Sequence, residues 1–412
     1  MSPDGTSVGV DGVRWDWSEP GRPTRIFVDL DAIAGNVQYF RNSVTPGTAI
    51  MAVVKADGYG HGAAMVAREA IAAGATSLAV ATVDEGVALR RFGVQTAILV
   101  LGPIDSSEAP TAVRWSLALT ISDPQFVNVV AHAVRSVGGD EATLVHVKVD
   151  TGMNRFGAPP ASAIAICRSV MGMPELRLAG FYSHLADADN DAHDFSVAQG
   201  IMFDECLSEL AAAGISPGIV HLSNSAATLR WRRFDHDMVR VGIALYGLSP
   251  APGMVLPSQL KPALSVRSRV AKVSDLVAGD AVSYGGTYVA RQPERVALVP
   301  IGYADGYRRG LSGRGLMVIG GRMWVVRGRV CMDQTVIGTP DGFETRVGDE
   351  IDVISADRGA VNSVAALASA LDTIDYELVT QLARRIPRYY TRGRRVVAVQ
   401  DLHAVDLKSD ES

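Results

Sequence analysis

The residues most capable of chemistry in this sequence surround a lysine that ends an apolar run and precedes a glycine-rich turn. Ala52 to Gly62 reads AVVKADGYGHG, so Lys55 follows β-branched residues, and Tyr59 and His61 lie in the turn. A lysine at the tip of a buried strand loses hydration, and its pKa falls because the charged form is disfavoured. The neutral amine that results is the nucleophile needed for Schiff-base chemistry with a carbonyl. For the bare VVK run alone, a solvated lysine before an ordinary turn is the simpler interpretation.

Further side chains capable of chemistry occur where other apolar runs end. They are Asp150 and Arg155 after one run, His184 at the end of another, Asn224 and Ser225 after a further one, and Arg240 within the last. In a barrel of parallel strands, the active site forms at the carboxyl ends of the strands. A lone histidine at a strand end is more often structural, so the shared placement of these residues is the informative feature.

The elements that would position these residues alternate along the first part of the chain. Apolar runs, the first Ile26–Leu30 and the last Val239–Leu245, alternate with helical segments such as Asp31–Val44, whose apolar residues fall on one face. Strands buried on both faces that alternate with helices predict a parallel sheet, and eight or nine such units favour a (β/α)8 barrel, the TIM barrel. An open doubly wound sheet is the alternative, weakened because no G-x-G-x-x-G motif follows any strand.

A proline-rich segment, SPAPGMVLPSQLKP from Ser249, separates this pattern from a different one. Short β-like runs with turn signals follow it, and Ser363–Leu371 is the helical segment predicted among them. The predicted fold class is therefore α/β, an N-terminal (β/α)8 barrel followed by a mostly β C-terminal domain. The predicted domains are a flexible N-terminal arm over 1–22, the barrel over 23–255 and the β domain over 256–412.

Composition and charge exclude several function classes. The 412 residues carry a formal net charge of -5 and contain no basic run, which argues against a nucleic-acid surface. No apolar run approaches the ~20 residues that cross a bilayer, and the N-terminus lacks the basic and apolar regions of a secretory signal. Three widely spaced cysteines without a C-x-x-C pair predict neither a disulfide framework nor a zinc cluster. We therefore expect a cytoplasmic protein with no nucleic-acid or membrane partner.

A cluster of acidic and histidine side chains after one predicted strand invites a metal-site interpretation. Its members are His184, Asp187, Asp189, Asp191 and His193. An EF-hand loop starting at the first of these aspartates would need glycine at Ala192 and glutamate at Ala198. A solvated acidic loop is the better interpretation, and we predict no bound metal.

The whole string VVKADGYGHG resembles the segment around the cofactor lysine of alanine racemases, which are fold-type III enzymes that use pyridoxal 5'-phosphate (PLP). Further motifs of that family occur in the family's order: KVDTGMNRFG, HLSNSAATLR, VRVGIALYG, VSYGGTY, PIGYADGY and GRVCMDQ. The resemblance extends from about Ile26 to Tyr390. It implies the same two-domain fold, PLP as the cofactor, and a homodimer whose active sites are shared between subunits.

The resemblance implies roles in catalysis and substrate binding for five residues. Lys55 would hold the cofactor and act as the base on one face of the substrate, and Tyr284 would act on the other face. Arg155 and the Met332 backbone would bind the substrate carboxylate, for which the rigid fork of an arginine is suited. Lys148 would be carbamylated and would orient that arginine, although pairing with a neighbouring aspartate is the alternative for this lysine.

The resemblance also implies a set of donors around the cofactor phosphate. They are Tyr59, Ser225, the backbone of Gly242 and Ile243, and Tyr376, with Asn224 beside them. Hydroxyl and glycine residues make physical sense here, because a dianionic phosphate needs donors and close approach of the backbone.

Arg240 is the most diagnostic of the motif residues. Many PLP enzymes place a carboxylate against the pyridine nitrogen, which keeps that nitrogen protonated and makes the ring a strong electron sink. In alanine racemases an arginine lies there instead, and because it stays charged it cannot accept the ring proton. His184 would lie beside the ring and help to position Arg240.

The implied activity is the interconversion of L-alanine and D-alanine by two-base transfer of the alpha proton, which would supply D-alanine for peptidoglycan. A serine or broad-spectrum amino-acid racemase of the same fold is the alternative within this class. A PLP decarboxylase on the same plan is disfavoured by the arginine at the ring. A non-enzymatic PLP-binding protein leaves the second domain unexplained.

Several positions concern the path of the substrate. The resemblance implies that Tyr303 and Tyr307 line the access to the site and that Asp333 supports them. Two departures from the family's pattern are Arg308, where many members carry proline, and Leu222-Ser223, where small residues are usual.

Overall fold

The structure, a computed structural model, describes residues 6–8, 14–16, 21–138, 141–190, 194–339, 343–393, 395–402 and 405–407. The chain divides into two compact units. The barrel unit comprises Ala34–Tyr59 and Ala63–Leu245, and the β unit comprises Met1–Ile33, Gly60–Gly62 and Tyr246–Ser412.

Strands and short helices alternate through the first part of the chain. In order they are β1 (Thr6–Val8), β2 (Arg14–Asp16), β3 (Arg25–Asp29), α1 (Leu30–Ser43), β4 (Ala49–Val53), α2 (Lys55–Tyr59), α3 (Ala63–Ala72), β5 (Ser77–Val80), α4 (Val83–Arg91), β6 (Ile98–Val100), α5 (Ala109–Arg114), β7 (Ala118–Ile121), α6 (Pro124–Val137), β8 (Thr143–Lys148), α7 (Pro160–Met171), β9 (Leu176–Tyr182), α8 (Asp194–Ala212), β10 (Ile219–His221), α9 (Ser225–Arg230) and β11 (Met238–Val241).

The later part of the chain is dominated by strands. In order the elements are β12 (Leu264–Arg269), β13 (Lys272–Leu276), β14 (Ala281–Val282), β15 (Tyr288–Val289), β16 (Glu294–Val299), β17 (Leu316–Ile319), β18 (Arg322–Val326), β19 (Thr335–Thr339), β20 (Glu350–Ile354), α10 (Val364–Ala370), α11 (Asp375–Thr380), β21 (Arg388–Arg392), β22 (Arg395–Gln400) and β23 (Val405–Leu407).

The barrel unit is a closed parallel barrel. Within the described residues, its eight strands are hydrogen-bonded in the cyclic order β10-β11-β4-β5-β6-β7-β8-β9. The strands are buried on both faces, as in β5, β7 and β11, where every residue is buried. Strands covered on both sides by helices and barrel-filling side chains produce the continuous apolar runs seen in the sequence. The prediction of a TIM barrel is confirmed.

The helices of the barrel unit bury one face each, and α6 illustrates why its segment is helical. Asp123 caps its N-terminus by accepting from the Gln125 N–H, and Pro124 occupies the first helical position. Gly138 ends the helix in the left-handed conformation, with φ at 75°. The buried positions are Val127, Val130, Ala131, Ala133 and Val134. This spacing is the helical period, and each buried valine contributes about 1.5–3 kcal/mol of transfer free energy.

One predicted barrel strand belongs to the other unit. The run Ile26–Leu30 was expected to open the barrel, but β3 lies in the large sheet between β12 and β21. It is antiparallel to β12, with Phe27 opposite Ser265, and parallel to β21, with Phe27 opposite Tyr389. A barrel closed by eight other strands offers no edge for another. A short run buried on both faces fits any central strand, so its pattern alone could not assign its sheet.

The β unit is built on a mixed sheet. Within the described residues, this sheet has the order β13-β16-β19-β18-β17-β20-β12-β3-β21-β22-β23, with β14 and β15 as a separate pair. The predicted helix appears as α10, capped by Ser363, whose hydroxyl accepts from the Ala366 N–H. The sequence analysis did not predict α11, β19 or β21. Arg388, which begins β21, is buried. Its hydrogen bonds to the carbonyls of Gly60, Leu382 and Ile386 offset the cost of burying it.

Arg358 is one of the residues that hold the proline-rich segment after Ser249. Arg358 donates to the carbonyl oxygens of Gly247 at 2.9 Å and Leu260 at 2.6 Å. The predicted linker is therefore part of the β unit rather than a loose connection. In the predicted flexible arm, β1 and β2 pair antiparallel, with Ser7 opposite Trp15. Among the residues described, no helix is long and apolar enough to span a membrane.

Candidate active site

Lys55 begins a left-handed turn at the carboxyl end of β4. Ala56, Asp57, Gly58 and Tyr59 have φ values of 53°, 52°, 61° and 50°. Three of these residues are not glycine, and L-residues in this region cost roughly 1–2 kcal/mol each. The Gly58 N–H donates to the Val54 carbonyl at 2.9 Å, which closes the turn. The turn reverses the chain so that the lysine stays at the strand end and the tyrosine is buried.

The pKa of the Lys55 amine is lowered mainly by burial and further by the positive charge of Arg155, and the charge of Glu85 partly offsets this. A lowered pKa leaves more of the amine neutral at a given pH, which is the form that attacks a carbonyl. The expectation drawn from the apolar run before this lysine agrees with the direction of the shift.

Ser225, Tyr59 and Gly242 form a small polar cradle in the barrel unit. The Gly242 N–H donates to Ser225 Oγ at 2.9 Å, and the Ala244 N–H approaches the same oxygen at 3.4 Å. A Cβ built on Gly242 would lie 2.6 Å from the Tyr59 hydroxyl oxygen, so a larger residue would displace the tyrosine. Hydroxyls converging with a closely approaching backbone are the donor set that suits a phosphate dianion. Ile243 follows directly and is fully buried.

Asn224 acts as the cap of α9. Its Oδ1 accepts from the Ala227 N–H at 3.1 Å, and its Nδ2 donates to the Leu185 carbonyl at 3.1 Å. These bonds fix the start of the helix that carries Ser225. The Asn224 side chain therefore positions Ser225 without being part of the cradle itself.

Arg240 lies in β11 with only 3% of its surface exposed. One terminal nitrogen donates to His221 Nδ1 at 3.0 Å and to the His221 carbonyl at 3.1 Å. The other donates to His184 Nδ1 at 3.0 Å and to the carbonyls of Ser183 at 2.8 Å and Leu222 at 3.1 Å. Burial lowers the pKa of Arg240 to about 10, so the guanidinium remains charged at neutral pH.

These bonds determine which nitrogen of each histidine carries a proton. Because arginine only donates, Nδ1 of both His184 and His221 must accept, and the proton lies on Nε2. His221 Nε2 is 2.9 Å from His146 Nδ1, so the chain of donors runs from Arg240 through His221 to His146. Burial and then the Arg240 charge lower the pKa of all three imidazoles, that of His146 to about 4. The three rings are therefore neutral and cannot neutralise the arginine. Gly180 leaves the space that the His146 ring occupies.

Lys148 ends β8 and packs on aromatic rings. Its Nζ lies 4.9 Å from the Phe156 ring centre and 5.6 Å from that of Tyr182. Burial, followed by the charges of Arg240 and Arg155, lowers its pKa to about 7. The Asp150 carboxylate instead accepts from the N–H groups of Gly152 and Asn154, so the described residues show no ion pair with this lysine.

Arg155 is exposed in the loop after β8, and it makes no hydrogen bond or ion pair with the residues that the structure describes. Its charge nevertheless lowers the pKa values of Lys55, Lys148 and His184. A guanidinium with no partner among the described residues, close to other cations, is suited to receiving an anionic group.

In the β unit, Tyr284 and Met332 are exposed by 72% and 53% respectively. Ser283 before the tyrosine has a φ of 64°, and its hydroxyl donates to the Arg329 carbonyl at 2.7 Å. The Ala304 N–H donates to the Met332 carbonyl at 2.9 Å. These contacts fix the backbone beside an exposed tyrosine and an exposed methionine. Such apolar exposure is typical of surfaces that meet another molecule.

The other predicted residues of the β unit have mixed placements. Tyr303 is 40% exposed, whereas Tyr307 is 2% exposed. Their placement along a substrate path stays a prediction. Asp333 pairs with Arg385 at 2.7 Å. Tyr376 lies half-buried in α11, and its contribution to a phosphate site stays a prediction.

The acidic cluster is only partly described. Arg230 donates to the carbonyls of Asp189 and Asn190, and the Asn190 amide donates to Asp187. Asp191 and His193 lie outside the described residues. No group of three or more possible metal ligands occurs in the described part of the chain.

Sequence reasoning missed Glu85 as a contact of this site and assigned no role to His221 or His146. The Thr82-x-x-Glu85 spacing is a capping-box signature that predicts the start of α4. Nothing in the spacing shows that the same carboxylate reaches the turn after Lys55. His221 begins a quoted motif and His146 lies two residues before another, but the proton positions of both follow only from the distances.

We compared this chain with family models and with known proteins, and both comparisons gave matches over most of its length. Residues 28–250 match the family model described as "Alanine racemase, N-terminal domain", and residues 263–390 match "Alanine racemase, C-terminal domain". An alanine racemase of Symbiobacterium thermophilum is 41% identical over 93% of this chain and 99% of its own length. One from Geobacillus stearothermophilus is 39% identical over 92% and 96%.

Solved structures give the same result. The crystal structure of alanine racemase from Bacillus anthracis with bound L-Ala-P matches with a TM-score of 0.87 and 38% identity. That match covers 93% of this chain and 98% of the other. The alanine racemase from D-cycloserine-producing Streptomyces lavendulae matches with a TM-score of 0.86 and 35% identity, over 91% and 98%.

Proposed function

The chain belongs to the alanine racemase family, and we propose that it interconverts L-alanine and D-alanine with PLP as its cofactor. The observation that carries the proposal is the Lys55 amine of lowered pKa, which shares its end of the barrel with the charges of Lys148, Arg155 and Arg240. A site with this excess of positive charge favours ligands that bring a phosphate and a carboxylate. PLP and an amino acid together bring both.

The residues present fit PLP at three points. The cradle of Tyr59, Ser225 and the Gly242 backbone would supply donors for the phosphate, with Ile243 directly beside it. The contribution of Tyr376 is proposed from its motif alone. Lys55 supplies the amine for the aldehyde, and Arg240 supplies a fixed cation for the ring nitrogen. When bound, PLP supplies a conjugated system that stabilises negative charge at the alpha carbon of an attached amino acid.

Inversion at the alpha carbon requires a base on each face. A single base would mostly return the proton to the face from which it was taken. We assign one face to Lys55 Nζ and the other to the Tyr284 hydroxyl, so a proton removed by one group is replaced by a proton from the other. The neutral His184, whose Nε2 carries its proton, is a donor beside Arg240 that helps to order this site.

Arg240 is proposed to limit how much negative charge the ring accepts. We expect Arg240→Glu to lower the rate of racemisation roughly a hundredfold. The rate of transamination relative to racemisation should rise, because a carboxylate would keep the ring nitrogen protonated. The measurement is the ratio of pyruvate to D-alanine formed from L-alanine by protein that retains PLP, since pyruvate reports transamination.

Arg240→Lys is the matched control, because it keeps a cation at the ring and should leave this ratio near the wild-type value. An unchanged ratio in the glutamate variant, with PLP still bound, would show that the arginine does not set the ring protonation.

Arg155 is proposed to bind the substrate carboxylate together with the Met332 backbone. Lys148 would support it if carbamylated, because its neutral amine adds to carbon dioxide and releases one proton, which leaves an anionic carbamate near Arg155. A pKa of about 7 makes much of this amine neutral at neutral pH, and below that pH the modification should decline. Carbon-13 NMR of the folded protein in 13C-labelled bicarbonate at pH 6 and pH 8 tests this, because the carbamate is lost when the protein is digested. No carbamate signal at either pH would exclude the modification.

The proposed assembly is a homodimer whose active sites take Tyr284 and Met332 from the partner subunit. The exposed ring and thioether on the β unit support such a surface. The proposed location is the cytoplasm, where D-alanine would be supplied for peptidoglycan.

The test of the activity is incubation of the purified chain with each L-amino acid, followed by chiral separation of the products. We expect D-alanine from L-alanine, L-alanine from D-alanine, and much slower reaction of serine. Faster turnover of serine would make the chain a racemase of altered specificity. No inversion of any amino acid by PLP-loaded protein would end the proposal.

A further inference from the structure

The Glu85 carboxylate connects three separate backbone groups. Its Oε1 accepts from the Ala56 N–H at 2.6 Å, and its Oε2 accepts from the Ala81 N–H at 2.7 Å. The Thr82 N–H approaches the same Oε2 at 3.3 Å. One side chain at the start of α4 therefore joins the end of β5 to the turn that follows β4.

The turn held in this way is the strained one that carries Lys55. Ala56 is the first residue in the left-handed conformation, and the strain continues through Asp57 to Tyr59. Such a run persists only where surrounding contacts determine it. Hydrogen bonds to an ionised carboxylate are stronger than those between neutral groups, so the bond to the Ala56 N–H is suited to this task.

Helix capping alone does not account for these contacts. In the capping box of α4, the bond that Glu85 makes to the cap residue is the longest of its three. A second capping box in the barrel unit, Asp105 with Glu108, provides a direct comparison. There the Glu108 carboxylate accepts from the Asp105 N–H at 2.8 Å, and the described residues show no further hydrogen bond to it.

The charge of Glu85 also acts on both functional residues of the turn. Burial and the Arg155 charge lower the pKa of Lys55, and the Glu85 charge partly offsets this by raising it. Burial raises the pKa of Tyr59, and the Glu85 charge raises it further. The Glu85 carboxylate, which reaches the turn from α4, is therefore a negative charge among the cations at this end of the barrel.

We propose that Glu85 is a positioning residue for Lys55, holding the left-handed turn through the Ala56 N–H so that the lysine amine has a fixed place and a negative charge beside it. The inference rests on the proposed role of Lys55 as the cofactor lysine. The geometric part concerns the turn itself and can be measured without reference to activity.

The experiment compares Glu85→Gln and Glu85→Ala with the matched controls Glu108→Gln and Glu108→Ala, all as full-length, PLP-loaded protein. Hydrogen exchange of the segment 55–59 is expected to be roughly tenfold to a hundredfold faster in Glu85→Ala, because a hydrogen bond to a charged group is lost. The glutamine variant keeps one acceptor and should show a smaller increase. The Glu108 variants should leave exchange in this segment unchanged.

A second measurement separates an effect of Glu85 on Lys55 from a general loss of stability through helix capping. The visible absorption of the bound cofactor should titrate at lower pH in both Glu85 variants, because the negative charge that favours the protonated nitrogen at Lys55 is gone. The kcat/KM for alanine should fall roughly tenfold to a hundredfold, with kcat affected more than KM. Thermal midpoints should fall by similar amounts in the Glu85 and Glu108 variants, as expected for capping residues.

The outcomes decide between two explanations. If segment 55–59 exchanges at the wild-type rate and the titration midpoint does not move, Glu85 is a helix cap only and the inference is wrong. Borohydride reduction of the same samples, followed by peptide mapping, tests the proposed function separately. A label away from Lys55 would remove the proposed function, while the exchange rates would still decide whether Glu85 holds the turn. If the alanine variant does not fold, the glutamine variant carries both readouts.

Discussion

Replacing Lys55 by alanine is expected to lower alanine racemisation by about 10⁴-fold or more, because one side chain is removed from both cofactor attachment and proton transfer. The measurement is D-alanine formation from L-alanine at saturating PLP, together with the visible absorbance of the protein. The physical basis is the lowered pKa of this amine at the carboxyl end of β4 and its fixed place at the start of a strained turn.

Two comparisons make this result specific. Lys55→Arg keeps a positive charge but offers no nucleophilic amine, so it should be as inactive as the alanine variant. Lys272→Ala removes an exposed lysine from β13 and should change neither activity nor absorbance.

Lys148 is the competitor for the aldehyde, because its pKa of about 7 also leaves a neutral amine at neutral pH. Borohydride treatment of the wild-type protein followed by peptide mapping distinguishes the two lysines. We expect the label on Lys55. A label on Lys148, or an active Lys55→Ala variant, would contradict the assignment.

Mixing two inactive variants, Lys55→Ala and Tyr284→Phe, should restore about a quarter of the wild-type activity once their subunits have exchanged. In a mixed dimer with shared sites, one site combines the intact lysine of one chain with the intact tyrosine of the other. The second site lacks both. With random pairing, half of the dimers are mixed, and each contains one complete site of two.

The exposure of Tyr284 is the structural reason for expecting this result. A tyrosine exposed by 72% in the β unit has no enclosed environment of its own, and the hydrogen bond of Ser283 to the Arg329 carbonyl fixes the loop that presents it. A base needs an excluded, oriented setting to transfer a proton efficiently. A second subunit would supply that setting.

The control for this experiment is Tyr288→Phe, which removes the hydroxyl of a nearby tyrosine in β15 that donates to Glu294. Alone it should be active, which shows that loss of a tyrosine hydroxyl from this region does not by itself disable the enzyme. Tyr284→Phe and Lys55→Ala must each be inactive before mixing. If verified mixed dimers recover nothing, both bases come from one chain and the shared site is refuted.

The amino-acid sequence by itself determined the barrel and grouped the candidate site residues at one of its ends. Strands that are buried on both faces must be apolar throughout, so β5, β7 and β11 appear as continuous apolar runs, and the helices between them show one apolar face. Parallel strands bring their carboxyl ends to one rim, which is why Lys55 and Arg240 could be grouped before any contact was known. The motifs then carried the family resemblance.

The tertiary structure decided what depends on distant partners. The apolar pattern of β3 fits either sheet, and the pairing with β12 and β21 assigned it to the β unit. Tyr307 is buried, because packing rather than motif position sets exposure. Likewise, only the bonds from Arg240 fix the protons of His184 and His221.

Glu85 shows most directly why the sequence could not predict contacts between distant residues. Its local spacing from Thr82 predicts a helix cap, since a capping box involves residues close in sequence. Its bond to the Ala56 N–H joins positions 29 residues apart, and the turn at Lys55 adopts an unfavourable conformation that no local preference would choose. Local patterns record the elements that a segment forms, whereas strain, register and proton positions arise only when folding brings separate segments together.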